Sequence, residues 1–253
     1  RQVILGGSHG VAKTIAPQLL ERGARVIDLS GDFRLSPTPA VYGYAERYRD
    51  CIAAARFVAN PGCYPTATLL ATLPLAPFRP QRIVVDAKSG ITGAGRTPSV
   101  ASLFAEVSGD VRAYGLNGHR HEPEIVEQWR SVGIDASLIF TPHVVPIARG
   151  MLVDAYCFFT ASIDAAAVHQ AFRDAYERNP FVRVLDDGAA PALPAVAGTN
   201  DAEIAISVFR DAVRVICAID NLGRGAAAQA VRNLNIMCGY PEELGLRAHA
   251  LAY

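Results

Sequence analysis

The sequence predicts an α/β chain in two parts, a parallel βαβ part at the N-terminus and a larger mixed-sheet α+β part after it. Three observations lead there. First, Val3-Ile4-Leu5, the glycine-rich Gly6-Gly7-Ser8-His9-Gly10, an amphipathic run from Val11 to Arg22 and Arg25-Val26-Ile27-Asp28-Leu29 follow one another as strand, turn, helix and strand. Second, the later apolar runs are joined by hairpin-length and longer connections, which suits a mixed or antiparallel sheet. Third, with 253 residues and 51% of them hydrophobic, the chain can bury one large core or two modest ones.

In chain order, Gly23 stops the first helix and a right-handed crossover returns the chain to a parallel strand. Ligands of such sheets bind beyond the carboxyl ends of the strands, where Gly6–Gly10 and Ser30-Gly31-Asp32 fall. Ser36 to Tyr48, rich in Pro, Tyr and Gly, reads as a loop, and Phe57-Val58-Ala59 as a short strand. Ala67 to Leu73 has helical character, and Arg82 to Ala87 is a strand leading into a glycine-rich loop. Strands are expected at Ala136–Thr141, Met151–Thr160, Ile204–Val208 and Val213–Ile219, with a helix at Ala165–Arg178. A last alanine-rich helix spans about Gly225 to Met237.

Lys plus Arg balance Asp plus Glu at 24 each, so nothing draws the chain toward nucleic acid or an anionic membrane. No apolar run is long enough for a membrane span, and the N-terminal residues lack a signal-peptide layout. The five cysteines, Cys51, Cys63, Cys157, Cys217 and Cys238, form no CxxC pair. An odd number in a chain of this length argues for a reducing compartment. Cys157 and Cys217 sit in apolar strand-like runs and read as buried, inert thiols.

Cys63 differs. In Asn60-Pro61-Gly62-Cys63-Tyr64-Pro65-Thr66, Pro61 and Gly62 turn the chain and Pro65 suits a first helical turn. That puts Cys63 at a helix N-terminus, where free N–H groups favour a thiolate able to attack an acyl group. The plain alternative is a small apolar residue at a strand–helix junction. Gly118-His119-Arg120-His121-Glu122-Pro123-Glu124 supplies a second signal, with Pro123 opening a helix, His121 near its N-cap and Glu124 in its first turn. His121 could act as acid or base, with Glu124 orienting it or gripping substrate. A His-x-His metal pair with Glu124, as in metallohydrolases, and a simple helix cap are the competing readings, and neither explains Cys63. Ser89-Gly90-x-x-Gly93-x-Gly95-Arg96 could bring backbone N–H groups to a phosphate or a nicotinamide ring. Arg149, in the similar stretch Thr141–Gly150, could bind a carboxylate or phosphate or form a surface ion pair. Asn221, at a strand end, could bond a carboxamide or cap the last helix.

Six segments in order, IDLSGDFRL (Ile27–Leu35), ANPGCYPTA (Ala59–Ala67), KSGITGAGR (Lys88–Arg96), GHRHEPEI (Gly118–Ile125), PHVVPIARGM (Pro142–Met151) and DNLGRGAAAQA (Asp220–Ala230), resemble the N-acetyl-gamma-glutamyl-phosphate reductase family of arginine biosynthesis. More broadly they resemble the aspartate-semialdehyde and glyceraldehyde-phosphate dehydrogenases. The resemblance implies a partial Rossmann-type nucleotide domain over residues 1–62, completed by the C-terminal segment 221–253. It implies a catalytic and dimerisation domain of the semialdehyde dehydrogenase type over 63–220. It also implies an NADP(H)-dependent, cytoplasmic enzyme, a homodimer or homotetramer without nucleic-acid, membrane or metal partners. On this resemblance Cys63 forms the thioester, His121 is the acid–base residue with His119 able to exchange roles, and Glu124 positions the histidine. Arg149, Arg96 and Asn60 hold the substrate; Ser8, His9, Ser30, Ser89, Gly90 and Asn221 follow the cofactor. A sister activity on carrier-borne 2-aminoadipyl phosphate fits the same segments.

The sequence departs from the family pattern at three places. The family's opening strand and GxxGxxG pyrophosphate turn are not in it, which implies either a piece of a longer enzyme or a truncated, non-catalytic assembly or regulatory subunit. The span between DFRL and the YG segment is short. Tyr44-Ala45-Glu46 stands where the family has Leu-Pro-Glu, and Arg224 stands where it has a lysine.

Overall fold

The computed structural model describes residues 1–95, 100, 103–247 and 250, and the chain folds around two sheets. The first is wholly parallel. Strand β1 (Gln2–Leu5) leads through helix α1 (Val11–Glu21) to β2 (Arg25–Asp28), then β3 (Val41–Tyr42), helix α2 (Ala45–Ala54) and β4 (Phe57–Ala59), in the order β1-β2-β4-β3. The strands end together at Leu5, Asp28 and Ala59, so the turns that follow share one edge of the sheet. There the buried Asp28 carboxylate accepts both the backbone N–H and the hydroxyl of Ser30.

Helix α3 (Cys63–Thr72) crosses to the second sheet, built from β5 (Arg82–Gly90) and its later neighbours. Helix α4 (Phe104–Val107), β6 (Arg112–Ala113), helix α5 (Glu122–Arg130), β7 (Ser137–Val145) and β8 (Met151–Phe158) come next. Helix α6 (Ala165–Tyr176), β9 (Val182–Val184), helix α7 (Leu193–Val196), β10 (Ala202–Val208), β11 (Ala212–Ile219) and helix α8 (Ala228–Cys238) complete the order. The strands lie β6-β7-β5-β8-β11-β10-β9, with β5 parallel to β7 and antiparallel to β8. Burial alternates along β5: Ile83, Val85, Ala87 and Ser89 point to the core, while Arg82, Val84, Asp86 and Lys88 face outward. The outer face of the sheet leaves Ile139 and Phe158 exposed.

Nearly every residue of α3 is buried, because the helix runs between the sheet and α5. Two of its threonines bond their hydroxyls back to the preceding turn, Thr66 to the Gly62 carbonyl and Thr72 to that of Thr68, while the Thr68 hydroxyl is buried without a partner among the described residues. The fully buried Trp129 of α5 donates its indole N–H to the Thr72 hydroxyl at 2.8 Å, fixing α5 to α3. Helix α8 returns to the first sheet, where Ala230, Ile236 and Met237 pack with Ile27, Ala45, Ile52 and Val58.

Two expectations change. The segment read as a loop from Ser36 to Tyr48 contains β3 and the start of α2. No side chain caps α2 at Tyr44, so the helix carries no start signal and is held by tertiary packing. The strand expected to end at Thr141 does not stop there: β7 continues through Val145, paired with β5 to the end of both strands.

The two segments that depart from the family pattern meet in one buried network, through Glu46, which matches the pattern, and Arg224, which does not. Glu46 binds Arg224 and Arg232, Asn179 adds a hydrogen bond at 3.0 Å, and Arg224 and Arg232 lie over the Phe181 ring. Burial alone raises the Glu46 pKa, but the two guanidiniums outweigh it and hold it at about 2. A carboxylate depressed in the folded state stabilises fully above its unfolded pKa, and that contribution fades as the pH falls from about 4.5 toward about 2. Glu46→Gln leaves Arg224 buried without its anion and Arg232 with Glu242 alone, and is expected to lower unfolding free energy by about 3–5 kcal/mol, measured by urea titration at neutral pH. A change within about 0.5 kcal/mol contradicts this role.

Candidate active site

The turn Asn60–Gly62 connects β4 to α3, so Cys63 is the first residue of a buried helix at the carboxyl edge of the parallel sheet. It is partly exposed and lines a cavity of about 430 Å³ shared with Ser8, His9, Asn60, Arg120, His121 and Asn221. Two glycines make room for it. A Cβ on Gly62 would stand 2.5 Å from Nε2 of His121, and a Cβ on Gly225 would stand 2.6 Å from Cβ of Cys63. The imidazole thus packs on the residue before the cysteine, and the turn before α8 packs on the cysteine itself.

Glu124, buried in the first turn of α5, holds this turn. Its Oε1 accepts the Gly62 N–H at 2.9 Å and the Tyr42 hydroxyl at 2.8 Å, and its Oε2 meets Nη1 of Arg34 at 3.3 Å. Arg34 also donates to the carbonyls of Asn60 and Leu29, and the same Nη1 stands 3.5 Å from Nε2 of His121. Glu124 therefore reaches His121 by way of Arg34, not through the direct contact the sequence suggested. The carboxylate is taken up by the guanidinium and the backbone of the nucleophile's own turn.

His121 is 3% exposed. Burial first, then Arg34, His119 and Arg120, push its pKa well below the ordinary imidazole value, so the ring is a neutral base at physiological pH. His119 is a different kind of residue. Its Nδ1 accepts the His121 N–H at 3.2 Å, its ring packs among Tyr64, Tyr114 and Phe140, and it borders a separate hollow with Glu122 and Val126. Burial and Arg120 hold its pKa at about 4. The metal-pair reading needs His119, His121 and Glu124 to converge, but Glu124 is spent on Gly62, Tyr42 and Arg34. Among the described residues no three His, Cys, Asp or Glu side chains cluster as a metal site.

Other sequence-predicted residues divide. Ser8, His9, Ser30, Asn60 and Asn221 all line the cavity. Asn60 also ties the turn to the C-terminal segment, donating to the Ala226 carbonyl and accepting from Asn233. Asn221 accepts the Gly150 N–H and donates to Thr92. Ser89 and Gly90 stand behind the cavity wall, because the β5 ladder continues through them, and Ser89 backs Gly93, which does line it. Arg149 is not on the wall: it pairs at 3.0 and 3.1 Å with Asp220, a fully buried carboxylate that takes this cation as its counter-charge. Arg96 lies outside the described residues. Sequence reasoning assigned nothing to Arg34, Arg120 or Gly225. Arg34 was visible only as one arginine after a Ser-Gly-Asp turn.

The helix-end argument for a Cys63 thiolate is also modified. Burial pushes the thiol pKa up, and the Tyr64 N–H with Arg34 and Arg120 only partly offsets it. At rest the cavity thus presents a thiol and a neutral imidazole on its wall. Iodoacetamide alkylation of Cys63 is expected to accelerate still at pH above the ordinary thiol range; a plateau reached by neutral pH would mean a preformed thiolate–imidazolium pair. Gly225→Ala, whose Cβ collides with Cys63, is expected to slow alkylation by about 10²-fold in a protein whose circular dichroism is unchanged. An unaltered rate would show that the wall yields.

Residues 63–221 match the family model for the semialdehyde dehydrogenase dimerisation domain, and residues 2–55 that for the semialdehyde dehydrogenase NAD binding domain. The N-acetyl-gamma-glutamyl-phosphate reductase of Desulfotalea psychrophila is 44% identical over 94% of this chain and 76% of its own length. That of Brevibacillus brevis is 41% identical over 96% and 78%. Aspartate semialdehyde dehydrogenase II of Vibrio cholerae shares the fold with a TM-score of 0.77 at 18% identity, over 94% of this chain and 80% of that one.

Proposed function

The chain belongs to the N-acetyl-gamma-glutamyl-phosphate reductase family, and from that premise we propose that Cys63 and His121 carry out the NADPH-dependent reduction of N-acetyl-γ-glutamyl phosphate to N-acetylglutamate 5-semialdehyde. The observation that carries the assignment is the cysteine at the start of α3 with a neutral, buried imidazole packed on the residue before it.

In this reading His121 takes the thiol proton as sulfur attacks the acyl carbon, and the carbon–oxygen bond to phosphate breaks to leave a Cys63 thioester. A nicotinamide held in the cavity would supply the hydride needed to reduce it. The imidazolium returns its proton to the developing oxyanion, giving a thiohemiacetal on Cys63. His121 then takes the hydroxyl proton as the carbon–sulfur bond breaks and passes it to the departing sulfur, releasing the aldehyde and restoring the thiol and the neutral imidazole. Glu124 and Arg34 hold the turn and ring in register, and Asn60 braces the turn from behind.

The walls fit a dinucleotide. Gly6, Gly7 and Ser8 on one side and Gly93 on the other give surfaces of backbone with little side chain, and Ser30 and Asn221 would complete the hold. We assign residues 1–62 and the C-terminal segment to the nucleotide side and 63–220 to catalysis and pairing. No helix among the described residues is long and apolar enough to cross a membrane. A cytoplasmic homodimer or homotetramer paired through the outer face of the large sheet, where Ile139 and Phe158 are exposed, belongs to the same proposal.

The test is phosphate-dependent oxidation of N-acetylglutamate semialdehyde by NADP⁺. Cys63→Ala is expected to lose roughly 10⁴-fold or more in kcat and His121→Gln about 10²–10⁴-fold. Because the base must be neutral and its pKa is lowered, kcat/KM is expected to hold as the pH falls from about 7 to about 6, through the ordinary histidine range. A decline there, or an active Cys63→Ala, defeats the assignment.

A further inference from the structure

Arg120 and His9 meet across the cavity in a way that two donors alone do not explain. The Gly31 N–H donates to Nδ1 of His9 at 2.9 Å, so that nitrogen offers its lone pair and the single proton of a neutral ring sits on Nε2. Nη1 of Arg120, a group that can only donate, stands 2.8 Å from that Nε2. Moving the proton to Nδ1 shifts the conflict onto Gly31, and charging the ring creates it at both ends. Every protonation state therefore sets donor against donor, and an acceptor between Arg120 and His9 resolves it.

Beside a guanidinium without a carboxylate partner among the described residues, an anionic acceptor is favoured over a neutral one. Both residues line the cavity that holds Cys63 and His121. The other guanidinium on that wall, Arg34, is already committed to Glu124 and two carbonyls. Arg120 is exposed and pairs with no carboxylate among the described residues. We propose that Arg120 and His9 form a phosphate subsite, which takes the phosphoryl group of the acyl phosphate and holds the inorganic phosphate released when Cys63 is acylated. An oxygen bridging Nη1 of Arg120 and Nε2–H of His9 gives both donors a charge-assisted partner. The subsite joins the two parts of the chain, since His9 follows β1 and Arg120 precedes α5.

This proposal rests on the acyl-phosphate reading of the site, and its test separates the two. Inorganic phosphate is titrated against iodoacetamide alkylation of Cys63 in the wild type, Arg120→Gln and His9→Phe, with no cofactor present. Saturable protection is expected in the wild type, and about tenfold more phosphate is expected to be needed by Arg120→Gln, with Arg120→Lys in between. Unchanged circular dichroism shows that the variants keep the fold, and protection is scored in each variant against its own phosphate-free alkylation rate, because Arg120 also acts on the Cys63 thiol. In turnover, the KM for phosphate is expected to rise in Arg120→Gln while the KM for the semialdehyde stays level. Equal protection of all variants, or no protection of the wild type, overturns the subsite. So does a variant that loses protection by NADPH while keeping protection by phosphate, since that outcome gives the pair to the cofactor's phosphates. Phosphate protection in a protein that turns over no semialdehyde would keep the subsite and discard the reductase.

Discussion

The arrangement around Cys63 depends on the guanidinium of Arg34. It touches the loop ends of the parallel sheet, at Leu29 and Asn60, and the start of α5, at Glu124 and His121. A planar cation with five donors can serve four directions at once, which an ammonium on a flexible stem cannot. Removing it would leave Glu124 as a buried, uncompensated anion beside the nucleophile. It would also raise the basicity of His121 by deleting the second-largest influence holding its pKa down.

A second constraint is closeness of backbone. Gly62 admits the imidazole and Gly225 admits the cysteine, so the nucleophile is wedged between two chain segments far apart in sequence. Asn60 and Asn233 bind each other across the same junction, and both Gln229 and Asn233 donate to the Gly43 carbonyl. The buried Glu46–Arg224–Arg232 network lies next along that seam, between α2 and the turn leading into α8. The C-terminal segment is thus part of the site, holding in place the wall against which the thiol sits.

Much of this was legible in the sequence. The alternation of apolar runs and glycine turns gave β1, α1 and β2, and the Pro/Gly frame gave Cys63 its place at the start of a helix. The sequence offered two candidate histidines before one proline, and only three dimensions tell them apart: His121 lines the cavity with Cys63, while His119 borders a separate hollow. Arg149 illustrates the opposite limit. An arginine just before a glycine in a strand-to-strand connection signals an anion but not whose, and its anion is the chain's own Asp220. Arg34 and Gly225 carry no periodic or capping signature at all, since their roles exist only where distant segments touch. The α2 helix was missed for a related reason: it is held by α8, which follows it by more than 170 residues.

The chain's one tryptophan is Trp129, sealed from solvent on the helix of the acid–base histidine and bonded to the helix of the nucleophile. Its indole is therefore a built-in fluorophore at the seam between the two reacting elements, with no second tryptophan to confuse the signal. Emission from an apolar, hydrogen-bonded indole is sensitive to small changes in polarity. Closure, loosening or acylation that shifts α3 against α5 can thus be followed in real time on the unlabelled protein.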